Sequence, residues 1–404
     1  MTERALGSDA RGSPARDVFV AFLRLGVTSF GGPIAHIGYF NEEFVRRRHW
    51  LDQETFAQIV ALCQFLPGPA SSQVGMIVGL IRAGALGMAL AWCAFTLPSA
   101  VALVAFALGI ARIPHVTEAA WIHGLLIAAV AVVATAVLTM YRSLCPDVPR
   151  KAVAFAAAAL ILLSPASGLI QLGVIVLGAL YGLYFVVPPE RTTQPLPVSG
   201  NKAAAIAAGA VFAVLLVGFP IAQRFIGAGP LGVVGAFYES GALVFGGGHV
   251  VLPLLQARVV PPGWVDPGTF LAGYGAAQAV PGPLFTFAAY LGAAMHGPVG
   301  GVGGAALALL AIYLPSFLLI AAILPFWNTL VRNRRVVATL QGVNAAVVGV
   351  LLAALYQPVW ITAVRAPADA ALALLAYLLL GVLRTPPWLV VLASAAAAEL
   401  LHVI

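Results

Sequence analysis

Long apolar runs and short polar interruptions alternate along the chain. A bilayer crossing takes about 20 predominantly apolar residues, and runs of that order fall near 18–40, 84–111, 119–141, 166–187, 203–226, 301–327, 336–363 and 387–404. They predict spanning helices, because a helix satisfies its backbone internally in hydrocarbon. Two pairs of shorter apolar pieces break the pattern. Residues 55–66 and 70–81 flank Pro67-Gly68-Pro69, and a similar pair flanks Pro281-Gly282-Pro283. Each piece is too short to span unaided, and a helix break at membrane depth survives only against protein or a watery cavity. The breaks therefore point to a site.

The pattern also repeats. At an offset of about 215 residues, Phe22, Arg24, Gly26 and Phe30-Gly31-Gly32 answer to Phe237, Glu239, Gly241 and Phe245-Gly246-Gly247. Trp50, Asp52, Thr55 and Phe56 answer to Trp264, Asp266, Thr269 and Phe270. Gln64 and the first Pro-Gly-Pro turn answer to Gln278 and the second, Leu97-Pro98-Ser99 to Leu314-Pro315-Ser316, and Gly124 to Gly342. Rare residues in one order at a nearly constant offset mean duplication. The most polar stretch, Pro188 to Lys202, divides the chain into repeats at 1–187 and 203–404, with 188–202 as linker. The fold class expected is an all-α integral membrane protein of two homologous repeats with broken or re-entrant helices. Transporters with such repeats bind substrate near the midplane, where the repeats meet.

Charge refines this picture. Of all residues 61% are hydrophobic and only 9% charged, against about 25% charged in soluble domains. The net charge of +7 is carried almost wholly by Arg, and basic residues collect at cytoplasmic membrane ends, so nucleic acid is not expected as a partner. Arg46-Arg47-Arg48 and Arg332, Arg334 and Arg335 fall at different places in the repeat. If both clusters lie inside, the repeats are inverted. The polar first 17 residues, with Arg4, Arg11 and Arg16, place the N-terminus in the cytoplasm and make 18–40 a re-entrant hairpin broken at Gly31-Gly32-Pro33; a plain span is the alternative. Cys63, Cys93 and Cys145 are too scattered for a disulfide framework or a metal quartet.

Glycines permit tight turns and proline suits the first turn of a helix. A helix starting at Gly31-Gly32-Pro33, or at Pro67-Gly68-Pro69 with Ser71, Ser72 and Gln73 in its first turn, aims free amides inward. Helix N-termini bind anions through such amides and the positive end of the dipole. Four converging breaks, counting Gly246-Gly247-Gly248 and Pro281-Gly282-Pro283, would cradle a dianion without metal or cofactor. The competing explanation is that glycine and proline are simply frequent in membrane helices. Arg24 and Glu239 are costly inside apolar segments: they form a structural pair between the halves, or Arg24 draws the anion while Glu239 couples protons. Arg82 faces the anion or snorkels to the interface. His36 and His249 donate to an oxyanion or serve as structural hydrogen-bonders, and Gln64 and Gln278 contact substrate or the broken backbone.

With FGGPIAHIGYF at 30–40, RRRHWLDQETF at 46–56, CQFLPGPASSQVGMIVGLIRAGALG at 63–87, FGGGHVVLPLL at 245–255, WVDPGTFLAGYGAAQAVPGPLF at 264–285 and YLPSF at 313–317, the chain resembles the chromate ion transporter family in its two-domain form. The resemblance implies a multi-pass protein of the bacterial inner membrane that exports chromate, driven by the membrane potential or a proton gradient, and confers chromate resistance. The first glycine motif ends in Pro33 and the second in Gly248, so the two turns need not be equivalent. A sulfate-like oxyanion is the nearest rival substrate and an anion channel the next reading. An intramembrane enzyme lacks any H-E-x-x-H set, and an ATP-driven pump lacks a phosphate-binding loop. The oligomeric state, a homodimer included, stays open.

Overall fold

In the computed structural model the described residues are 13–112, 119–164, 168–188, 201–226, 229–245, 248–297, 299–330 and 332–403. Helix α1 (Pro14–Thr28) starts where the Ser13 hydroxyl accepts the Arg16 amide at 3.3 Å, with proline in its first turn. It stops at Ser29, which is extended, and α2 (Gly32–Phe40) begins after two left-handed glycines, Gly31 at φ +101° and Gly32 at φ +73°. A wider coil, Asn41–Arg47, continues it. Asp52 caps α3 (Gln53–Phe65), accepting the Thr55 amide at 2.7 Å and its hydroxyl at 2.9 Å. The two Thr55 bonds hold the Asp52 carboxyl below its ordinary value. After the Pro67-Gly68-Pro69 turn, α4 (Ala70–Ile110) runs on with an interruption at Ala83 and Gly84, the latter at φ +64°. Helices α5 (Ala120–Leu144), α6 (Val148–Leu163) and α7 (Gly168–Phe185) complete the first half.

Helix α8 (Lys202–Ile226) opens the second half. Then α9 (Pro230–Ala242) parallels α1, and a tight turn at Gly248–Val250 leads into α10 (Val251–Val259). Asp266 caps α11 (Pro267–Ala279) through the Thr269 amide at 2.8 Å, as Asp52 does in the first half. The repeated Asp and Thr are thus helix-cap chemistry. A turn at Leu284–Thr286 precedes α12 (Phe287–Ala294), followed by α13 (Gly301–Ile323), short α14 (Trp327–Leu330) and α15 (Arg334–Ala354). Short α16 (Ile361–Ala363), α17 (Pro367–Tyr377) and α18 (Pro387–Val403) end the chain. Among the described residues, five stretches are long and apolar enough to cross a membrane: Ala70–Ile110, Ala120–Leu144, Lys202–Ala222, Gly301–Leu330 and Arg334–Ala363. No strand occurs among the described residues.

The duplication is visible in the packing. Helix α1 lies on α4 as α9 lies on α13. Pro98 and Pro315 sit inside α4 and α13, where each removes the partner of the carbonyl four residues back. Gly26 rests against that carbonyl of Ala94, so close that a Cβ there would stand 2.7 Å away, while Gly241 rests against the carbonyl of Ile312, one residue beyond the equivalent position in α13. The second units are exchanged: α5 packs on α17 and α18 of the other half, while α15 packs on α6 and α7. Gly124 and Gly342 mark those crossings, lying against Ser394 of α18 and Gly178 of α7. The two halves are therefore interleaved, and the core runs continuously between them.

Two expectations change here. Helix α6 falls outside the apolar runs read from the sequence, because it is 16 residues long and opens with Arg150 and Lys151. The run at 336–363 is also not one helix: it is interrupted at Gln357, whose φ and ψ of −128° and 112° are extended. The divider at 188–202 falls mostly on 189–200, outside the described residues.

Candidate functional site

Each Pro-Gly-Pro turn is anchored in the opposite half. The Gly68 amide donates to the Val244 carbonyl at 2.7 Å, and the Gly282 amide donates to the Ser29 carbonyl at 2.9 Å. Val244 and Ser29 occupy equivalent places just ahead of the two glycine breaks, so the bonds are a pseudo-symmetric pair. Both donors are forced to be glycine: Gly68 has φ +120° and Gly282 φ +94°. A Cβ on Gly68 would stand 2.6 Å from the hydroxyl of Ser316, and one on Gly282 would stand 2.9 Å from that of Ser99, the repeat counterpart of Ser316. The two glycine breaks also approach one another, since a Cβ on Gly248 would lie 3.4 Å from Pro33 and 3.9 Å from Leu284. All four breaks thus form one cluster.

Polar groups fill the first turn of α4. Ser71, Ser72 and Gln73 are all buried. The Gln73 amide group donates to the Pro67 carbonyl at 2.7 Å and to the Ser316 hydroxyl at 3.3 Å, while its Oε1 is left without a partner. The hydroxyls of Ser72 and Tyr313 are 3.3 Å apart. His36, fully buried, donates from Nε2 to the Ser29 carbonyl at 3.1 Å, which leaves Nδ1 to accept from the Ser71 hydroxyl at 3.3 Å. Pro69 gives α4 no side-chain cap, and Gly31 gives α2 none. Two further buried polar atoms among these breaks, Ser29 Oγ and Gln278 Nε2, have no partner. Buried polar groups are ordinarily satisfied, so uncapped helix starts beside unpaired polar atoms fit a polar guest, which the helix starts would favour as an anion.

Other residues singled out from the sequence go elsewhere. Arg24 and Glu239 do not pair: Arg24 is exposed, and the buried Glu239 carboxylate is held by the guanidinium of Arg258 on α10. The cause is that each sits in its own half, on helices α1 and α9 that pack against different partners. Arg82 lies 12 residues into α4, so about 18 Å from the Pro-Gly-Pro turn by helical rise. Its guanidinium sits 5.2 Å from the Trp50 ring, on which Arg48 also rests at 5.2 Å. His249 engages the Tyr274 hydroxyl at 2.7 Å. Gln64 is exposed while Gln278 is half-buried. Gly246 and Gly247 lie outside the described residues. Sequence reasoning missed Ser29, Tyr313, Ser316 and Arg258; the repeated Leu-Pro-Ser was the available signal for Ser316.

Fold and site together define a multi-pass membrane protein of two homologous, interleaved halves whose helix breaks cluster about uncapped helix starts. The chain belongs to the chromate transporter family, whose profile matches residues 16–183 and again 231–398. It is 27% identical over 362 residues to the chromate transport protein of Pseudomonas aeruginosa, covering 87% of this chain and 82% of that protein. It is 29% identical over 357 residues to the probable chromate transport protein of Synechococcus elongatus, covering 82% and 81%. With the chromate transport protein of Cupriavidus metallidurans it shares 25% identity over 381 residues, covering 91% and 87%. No solved structure matches the chain. The family is one of transporters rather than enzymes.

Proposed function

We propose that this protein carries chromate across the membrane and binds it where the four helix breaks meet. The observation that carries the reading is the crossed pair of bonds from Gly68 to Val244 and from Gly282 to Ser29. They bring the breaks of both halves to one place, as expected for a transporter whose substrate sits between repeats. Helix starts supply amides and dipole ends to the dianion, and Ser71, Ser72 and Gln278 add polar side chains. Sulfate, also a tetrahedral dianion, is the rival occupant.

The finer reading is an exporter of the bacterial inner membrane, driven by the potential or a proton gradient and conferring chromate resistance. Its repeats span 1–187 and 203–404 and are inverted, with re-entrant helices at the breaks. Helix α8, between the two matched regions and long and apolar enough to cross once, supports inversion if each matched region crosses an even number of times. Proteoliposomes holding the purified protein test this: saturable, gradient-dependent chromate uptake is expected. Uptake of sulfate alone moves the substrate assignment, non-saturating flux favours a channel, and uptake of neither anion overturns the oxyanion reading.

A further inference from the structure

The two halves differ at one pair of equivalent charged positions. Arg24 corresponds to Glu239 at the constant offset. The backbone fixes a second equivalence: Trp50 donates to the Phe44 carbonyl at 2.8 Å as Trp264 donates to the Val259 carbonyl at 3.1 Å. Phe44 and Val259 are therefore counterparts, and so are the residues just before them, Glu43 and Arg258. Each half thus carries one arginine and one glutamate at the same two places, with the signs exchanged. In a chain only 9% charged, complementary charge kept at both places while its sign is reversed marks the pair, rather than either residue, as what matters.

The halves hold this pair in different states. In the second half α10 packs along α9, and Glu239 and Arg258 are joined. In the first half the packing of α2 and its extension on α1 runs through the rings of Phe22, Phe40 and Phe44. There Glu43 turns to its own coil, bonding Arg47 at 2.8 Å and Arg48 at 2.7 Å, and Arg24 is exposed with no ion pair among the described residues. Glu43 is buried like Glu239, so its carboxylate always needs a partner, and exchange hands it from one guanidinium to another rather than leaving it bare. Arg47 is half solvated and Arg48 also rests on the Trp50 ring, so both have other surroundings to fall back on.

We infer that Arg24–Glu43 and Glu239–Arg258 are two copies of one gating ion pair, closed in turn during the transport cycle. In this conformation the second-half pair is closed and the first-half pair open. In the opposite conformation the first half takes the arrangement now seen in the second, Glu43 leaves Arg47 and Arg48 for Arg24, and Arg258 is freed. The free arginine then alternates between halves, offering each mouth in turn a cation for the anion. The four residues are positioning residues, and the inference rests on the reading of this chain as a transporter whose halves alternate.

Cross-linking in a background with Cys63, Cys93 and Cys145 replaced by alanine tests it. Two pairs, Glu239→Cys with Arg258→Cys and Arg24→Cys with Glu43→Cys, are treated with a short bismaleimide in membranes, alone and combined. Single thiols are labelled separately to show that each variant is folded and reactive. The expected result is that the second-half pair links at rest, the first-half pair links more slowly, no molecule carries both links, and either link reduces uptake to background. Both links in one molecule, full transport with either pair linked, or reactive thiols at 24 and 43 that never link overturn the inference. Mutually exclusive links in a protein that moves no chromate support it while removing only the substrate reading.

Discussion

Gly68→Ala is the sharpest perturbation of the turn. Its φ of +120° is a region that residues with a Cβ rarely adopt, at a cost of about 1–3 kcal/mol. The added carbon would stand 2.6 Å from both the Gln73 side-chain nitrogen and the Ser316 hydroxyl, so Gln73 must give up its 2.7 Å bond to the Pro67 carbonyl, worth about 1 kcal/mol. Together this is roughly 2–4 kcal/mol against the observed turn, or about 30-fold to nearly a thousandfold at 1.36 kcal/mol per decade. The assay is initial chromate uptake per inserted molecule in proteoliposomes. Uptake should fall by at least the lower factor while the amount inserted stays near wild type. Ser316→Gly in the same chain removes one of the two obstructing atoms and should restore part of the loss. Gly84→Ala is the control: φ is +64° but nothing lies within 4 Å of the added carbon, so strain is felt away from the breaks and transport should persist. Wild-type uptake by Gly68→Ala, or equal losses in both variants, would refute the reasoning.

Further outcomes follow from the same geometry. Arg258→Ala leaves the buried Glu239 carboxylate unpaired, a loss of about 3–5 kcal/mol, and should lower the thermal midpoint in detergent; an unchanged midpoint would show that the pair contributes little. Arg24→Ala removes an exposed side chain and should change stability by less than about 0.5 kcal/mol, yet reduce uptake, which separates its role from a structural one. Asp52→Ala deletes an N-cap and should cost about 1 kcal/mol in thermal unfolding. Because folding holds the Asp52 carboxyl below its ordinary value, its contribution is present above the unfolded value of about 3.9 and fades as pH falls through the lower folded value. A stability difference between wild type and Asp52→Asn that grew as pH fell would contradict that sign.

The repeat and the helix breaks were legible because glycine and proline carry local conformational meaning that survives without neighbours, whereas Asp52 and Asp266 were seen only as repeat matches and their capping of α3 and α11 came from the structure. Gly26, Gly124 and their counterparts were visible as matches, but that they mark close helix crossings was not, since the carbonyls they touch belong to distant segments. The bonds joining the breaks were invisible for a similar reason: their acceptors, Ser29 and Val244, act through backbone oxygen, which no side chain advertises. Glu239 was assigned the wrong partner because Arg258 aligns with Glu43 only once the offset of 215 is kept past the glycine motif, one residue away from the register set by Trp50 and Trp264. Arg82 looked like a site residue by proximity in sequence to a break, yet two guanidiniums meeting at one indole ring is a tertiary event.

A structure with tungstate, a heavy tetrahedral dianion, would test the central claim most directly. The account predicts strong density among Pro33, Gly248, the first turn of α4 and the Pro-Gly-Pro turns, competed away by chromate. Density bound instead at the surface arginines, or a saturated protein with nothing at the junction of the four breaks, would contradict it.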